Sequence, residues 1–188
     1  MLQDEVKKAV EVMRNGGVIL YPTDTIWGIG CDATNEEAVK KVFAIKRREE
    51  AKSMISLVDS ADRLSRYVRN VPDVAWDMIE MSTKPLTVIL DNVSGLAPNM
   101  IAEDGSAAFR VTSEEFSHEL CYRFQKPVVS TSANISGEPT AKTFDAISDE
   151  IKNAVDYVVK YSQRCKEKHE PSGIVKISEN SEVKVIRN

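Results

Sequence analysis

Apolar positions at the start of the chain recur at helical spacing: Leu2, Val6, Ala9, Val10 and Met13 share one face, and Asn15-Gly16-Gly17 supplies a left-handed stop. The pattern then shortens. Val18-Ile19-Leu20-Tyr21 is an apolar run of strand length, ended by Pro22, and it opens into the polar turn Thr23-Asp24-Thr25. A second helix is expected from Thr34, with Glu37 completing a capping box and Ala38, Val39, Val42, Phe43 and Ile45 facing inward; it ends on Lys46-Arg47-Arg48. Beyond it the pattern predicts a strand over Met54–Val58 and helical stretches over Ala61–Val68 and Asp73–Met81, the latter with Pro72 in its first turn. Strands are expected over Leu86–Leu90 and Ala107–Val111, separated by a Gly-, Pro- and Asn-containing loop over 92–105. A helix around Ser113–Arg123 leads to a buried strand, Val128–Thr131, which opens into the long polar loop 132–140. A helix over Phe144–Ala154 and strands over Tyr157–Lys160, Ile174–Ile177 and Val183–Ile186 complete the chain. Strands and helices alternate irregularly, which predicts an α/β fold with a mixed β-sheet instead of a regular parallel winding.

Length and composition narrow this picture. At 188 residues and 20.9 kDa, the chain is about the size of one domain, and 1–188 is read as a single domain. The formal charge is −4, so the overall basic footprint of a dedicated nucleic-acid binder is missing and any anion site must be local. No run approaches the ~18 apolar residues a membrane helix needs, and Met1-Leu2-Gln3-Asp4-Glu5 does not open a signal segment. A cytoplasmic protein with no membrane association is expected. Cys31, Cys121 and Cys165 are too few and too scattered for a disulfide framework or a CxxC pair, and His118 and His169 alone cannot build a histidine-rich metal site. The charge run at 166–168 reads as a solvated loop.

Four polar features remain. Lys46 and Arg48 end a helix, where cations complement the helix dipole for a few tenths of a kcal/mol in any protein. Ser130-Thr131-Ser132-Ala133-Asn134 puts four hydrogen-bonding side chains at the end of an apolar strand, as a turn or an anion site would. Thr23-Asp24-Thr25 follows another strand. Arg110 interrupts Ala107-Ala108-Phe109-Arg110-Val111, so it either faces outward or is paired. Cations and hydroxyls with no Ser-His-Asp set or metal cluster suit binding and positioning a polyanion better than nucleophilic catalysis by the protein. A GxxxxGK[ST] loop is absent, and Gly28-Ile29-Gly30-Cys31-Asp32-Ala33 matches GxGxxA only formally; these glycines read as points of close packing around Trp27.

Together, Tyr21-Pro22-Thr23-Asp24-Thr25-Ile26-Trp27-Gly28-Ile29-Gly30, Lys46-Arg47-Arg48, Pro85-Leu86-Thr87 and Ser130 through Gly137 resemble the YrdC/TsaC family of L-threonylcarbamoyladenylate synthases, over roughly residues 10–187. The family's paired KxR and SxN signature is matched by Lys46/Arg48 and Ser132/Asn134. The resemblance implies a twisted mixed sheet flanked by helices around a concave, basic cavity. It implies the formation of threonylcarbamoyl-AMP and pyrophosphate from L-threonine, bicarbonate or CO2, and ATP. Mg is then carried with ATP, since no carboxylate cluster marks a protein-built site. A separate tRNA threonylcarbamoyl transferase complex would use the product in tRNA modification, and direct contact with tRNA is left open. On this reading Lys46 and Arg48 meet the ATP phosphates, and Ser132 and Asn134 bond the nucleotide or the departing pyrophosphate. Thr23, Arg110, Ser130 and Ser172 hold threonine, with Arg110 on its carboxylate. Ser106, Thr140 and Arg187 align with further ATP contacts.

The chain departs from the family pattern at several positions. Leu57 stands where many relatives have histidine, Ser53-Met54 replaces Pro-Leu, and Glu49 replaces the proline after KxR. Lys84 replaces a glycine, and Pro171-Ser172-Gly173 lacks the threonine of a PST motif. Two other readings compete with the synthase: a double-stranded RNA or tRNA-binding module without adenylating activity, and a carbamoyl-transfer domain of the kind found in hydrogenase maturation proteins. Net charge counts against the first and chain length against the second.

Overall fold

The computed structural model describes residues 1–48, 54–163 and 171–188. Glu49, Ser53, Cys165, His169 and the charge run at 166–168 lie outside the described residues. Helix α1 (Leu2–Arg14) buries Val6, Ala9, Val10 and Met13, as its spacing predicts, and Gly16 at φ +74° turns the chain into strand β1 (Ile19–Tyr21). The next strand, β2 (Gly28–Gly30), was not expected: the residues read as packing glycines form a ladder in which Ile19 faces Gly30 and Tyr21 faces Gly28. Two glycines in three residues leave no side-chain alternation to announce a strand. Their packing role nevertheless holds at Gly30, where an added Cβ would sit 2.4 Å from the Val129 carbonyl oxygen and 2.6 Å from the Tyr21 ring.

Helix α2 (Glu36–Lys46) starts one residue later than its capping box implies. Asn35, not Thr34, is the cap, its side chain accepting from the Glu37 and Ala38 amides, while the Thr34 hydroxyl donates to Asp32 at 2.6 Å. Strand β3 (Ile55–Val58) follows, and then the helical stretch expected over Ala61–Val68 appears as a 3-10 helix, Ala61–Arg66. Helix α3 (Asp73–Met81) has its predicted bounds, with Pro72 as the extended residue before its first turn. Strands β4 (Leu86–Leu90) and β5 (Ala107–Val111) also match, and the loop between them holds one short 3-10 turn, Pro98–Met100. Helix α4 (Glu115–Phe124) is capped by the Glu114 carboxylate, and strand β6 (Val128–Ser132) runs one residue further than its apolar pattern.

The helix expected over 144–154 divides into a 3-10 turn, Phe144–Ala146, and helix α5 (Asp149–Ala154). Ile147 and Ser148 are extended there, and the Ser148 hydroxyl caps the new helix. Strands β7 (Tyr157–Val158), β8 (Gly173–Ile177) and β9 (Val183–Arg187) complete a nine-stranded sheet in the order β7-β1-β2-β6-β3-β5-β4-β8-β9. It is mixed: β1/β7, β3/β5 and β4/β8 are parallel, and the other neighbours antiparallel. Short β7 and exposed β9 are its open edges. One apolar core, from Val6 to Ile177, binds helices and sheet together. The register brings the polar ends of β2 and β6 side by side, with Gly28 opposite Ser132, and sets Arg110 between Leu57 of β3 and Thr87 of β4.

Candidate active site

The end of α2 determines where its two cations go. Arg47 adopts the left-handed conformation (φ 50°, ψ 42°), its amide bonded to the Ala44 carbonyl and the Arg48 amide to the Phe43 carbonyl. This paired closure reverses the chain within one residue. Lys46 is left pointing beneath the loop that follows β6, buried at 2% exposure, while Arg48 reaches the wall of a cavity of about 440 Å³.

The Lys46 ammonium donates to the Ser132 carbonyl at 2.6 Å and the Asn134 carbonyl at 2.7 Å, with Ser132 Oγ at 3.4 Å. The Ser136 amide returns a bond to the Lys46 carbonyl at 2.8 Å. Burial, with the Arg48 charge nearby, pulls the Lys46 ammonium down to about 8. Burial also lowers Arg48.

Around the cavity, β6 presents Ser130, Thr131 and Ser132, the turn before β2 presents Thr25 and Ile26, and the start of β3 adds Met54 and Ile55. Arg110 enters from β5, Arg187 from β9, and Thr140 and Lys142 from the loop beyond Ser132. Among the described residues the lining thus carries four cations, Arg48, Arg110, Lys142 and Arg187, and no carboxylate. The sequence's concern over a cation in an apolar strand is answered by pairing: Arg110 Nη2 lies 2.9 Å from Asp24 Oδ1, their side chains only 3% and 7% exposed, and it donates to Thr25 Oγ1 at 3.4 Å. Arg187 clamps the Ser172 carbonyl through Nε at 3.0 Å and Nη2 at 2.8 Å, while the Ser172 hydroxyl bonds Thr87 Oγ1 at 2.9 Å.

Arg48, Arg110, Ser130, Ser132, Thr140, Ser172 and Arg187 therefore meet at one hollow. The other candidates do not line it. Lys46 sits behind the Ser132 loop, and Asn134 Nδ2 folds that loop by donating to the Ile135 and Glu138 carbonyls at 3.1 and 2.8 Å. Thr23 is one step back as well: its hydroxyl donates to the Ile26 carbonyl at 2.6 Å and shapes the turn that presents Thr25. Ser106, in the turn leading into β5, gives its hydroxyl to Asp104 at 2.6 Å. Leu57 is wholly buried in the core. Sequence reasoning missed Lys142, which shares a polar loop with Thr140, and it gave Asp24, within the polar turn it did single out, no role as the partner of Arg110.

A mixed α/β sheet whose polar strand ends and one reversed helix terminus converge on a cation-lined hollow defines a protein that binds and positions an anionic ligand. The Sua5/YciO/YrdC family model, described as telomere recombination, matches residues 11–188, and the chain belongs to that family. Threonylcarbamoyl-AMP synthase of Vibrio cholerae is 32% identical over 177 residues, covering 92% of this chain and 93% of the relative. YciO of Escherichia coli shares the fold with a TM-score of 0.85 at 23% identity, over 99% of this chain and 89% of that one. Sua5 of Pyrococcus abyssi complexed with L-threonine gives a TM-score of 0.79 at 23% identity, over 91% of this chain and 50% of its own. The chain thus spans about half the length of that Sua5.

Proposed function

We propose that this protein is an L-threonylcarbamoyladenylate synthase, a nucleotidyltransferase that makes threonylcarbamoyl-AMP and pyrophosphate from L-threonine, bicarbonate or CO2, and ATP. The observation that carries this reading is the cation- and hydroxyl-lined cavity built where the KxR and SxN segments meet. The names of its curated relatives support it, as does the threonine bound to Sua5.

The chemistry fits that lining. Threonine's amine adds to CO2 and loses a proton, giving a carbamate; a carbamate oxygen then attacks the α-phosphorus, and the bond to the β-phosphate breaks to release pyrophosphate. Nucleophile and electrophile are both anions, so charge compensation in a partly desolvated hollow lowers this barrier by several kcal/mol, as a rough guide. Arg48, Lys142 and Arg187 supply it to the phosphates, with Ser132 and Thr140 as donors to the same group. Arg110, held by Asp24, meets the threonine carboxylate between Ser130 and Ser172. A guanidinium fork suits a carboxylate better than an ammonium does. This cationic donor set does not fit a protein-held divalent metal, so magnesium, where it accompanies ATP, rides on the triphosphate.

We read 1–188 as one catalytic domain acting in the cytoplasm, with its product consumed by a separate tRNA threonylcarbamoyl transferase complex. None of the helices among the described residues is long and apolar enough to cross a membrane. An omission series tests the proposal. Pyrophosphate should appear only when ATP, threonine and bicarbonate are all present; pyrophosphate release indifferent to threonine would remove the reading. Salt-sensitive binding of duplex RNA with no nucleotide turnover would favour the RNA-binding alternative.

A further inference from the structure

We propose that Lys46 is a positioning residue: it holds the 132–136 loop in the shape that presents Ser132 to the cavity, and it gives none of its hydrogen bonds to ATP. The inference rests on the synthase reading and divides the KxR pair into two different tasks.

An ammonium has three donors. Ser132 O, Asn134 O and Ser132 Oγ account for all three, at 2.6, 2.7 and 3.4 Å. Reaching a phosphate would therefore require breaking bonds to two part-buried carbonyls, each of which would lose a charge-assisted partner. The backbone bond from Ser136 to the Lys46 carbonyl closes the same junction from the other side, so residue 46 touches the loop at both its ends. Lys46 is 2% exposed and absent from the cavity wall, whereas Arg48, two residues on and past the left-handed Arg47, lines it. The geometry also orients Ser132. With a lone pair directed at the Lys46 ammonium, its hydroxyl proton is free to point into the cavity as a donor to a phosphate oxygen.

Amide hydrogen exchange on the ligand-free protein separates the two roles, with ATP and threonine affinities measured on the same variants. Lys46→Met keeps the stem and removes the donors; amides 132–138 should then exchange at least ~10-fold faster, while Arg48→Met leaves them unchanged. ATP affinity should fall for both variants. Combining Lys46→Met with Ser132→Ala should lose about as much ATP affinity as Lys46→Met alone, because both act through one loop, and threonine affinity should stay within about twofold. Should Lys46→Met not fold, Lys46→Arg gives the second reading. A guanidinium meets phosphate well, but its planar fork is larger than the ammonium and does not fit the closed space beneath the loop where residue 46 is 2% exposed, so it should weaken ATP binding by ~10-fold or more. The proposal is overturned by unchanged exchange in Lys46→Met, by ATP losses that multiply in the double variant, or by Lys46→Arg binding ATP like the wild type. A wild-type protein that binds no ATP would defeat the synthase reading, yet the exchange result would still decide whether Lys46 holds the loop.

Discussion

Arg110 shows how a single residue serves stability and function at once. Its side chain is buried in a strand whose neighbours are apolar, and Asp24 at 2.9 Å makes that burial tolerable. Removing one member of such a pair leaves the other charge buried without its counterion, which costs more than the pair contributes. Arg110→Met is accordingly expected to lower unfolding stability by ~3–5 kcal/mol, read from the denaturant midpoint at constant slope, besides weakening threonine binding. A loss below ~1 kcal/mol would mean that solvent reaches Asp24 far better than its 7% exposure indicates. The sequence signalled that Arg110 required a partner, but not which one: Asp24 is 86 positions away and reaches it only after the sheet forms.

At the scale of elements, helix α2 and strand β2 mark the reach of sequence reasoning. The apolar face of α2 and its basic end are visible in the residue pattern, because burial imposes a 3.6-residue period. The opposite fates of Lys46 and Arg48 are not, since they depend on the left-handed Arg47, a conformation that glycine usually supplies. Strand β2 escaped because its glycines carry no periodicity, yet it seats Gly28 against Ser132 and so fixes the position of the site loop. That seam has no room for a side chain at Gly30. Gly30→Ala should cost ~3 kcal/mol or more and reduce ATP affinity as β6 shifts, whereas Gly105→Ala, with nothing within 4 Å of the added carbon, should leave ATP affinity unchanged despite the strain of its positive φ. Equal ATP affinity in wild type and Gly30→Ala, measured by titration calorimetry, would show that β2 does not position the site.

For the whole molecule, net charge and local charge have opposite signs. The chain carries −4 overall, yet the cavity lining among the described residues holds four cations and no carboxylate. Net charge alone therefore speaks only against an overall basic footprint; the cations and hydroxyls along the chain already suit a polyanion, and the convergence of distant segments shows where they meet. The strand order brings these segments close: β6 lies between β2 and β3, and β5 beside β3, so Ser130, level with Ile55 and Ala108, is two residues along the sheet from Arg110, and both line the cavity. Mass analysis of the product formed from ATP, L-threonine and isotope-labelled bicarbonate tests the central claim most directly. The account predicts threonylcarbamoyl-AMP bearing one labelled carbon, in equal amount to pyrophosphate, with its rate falling at least ~100-fold in Arg48→Ala. Pyrophosphate without a labelled threonine adduct, or a full rate in Arg48→Ala, would contradict it.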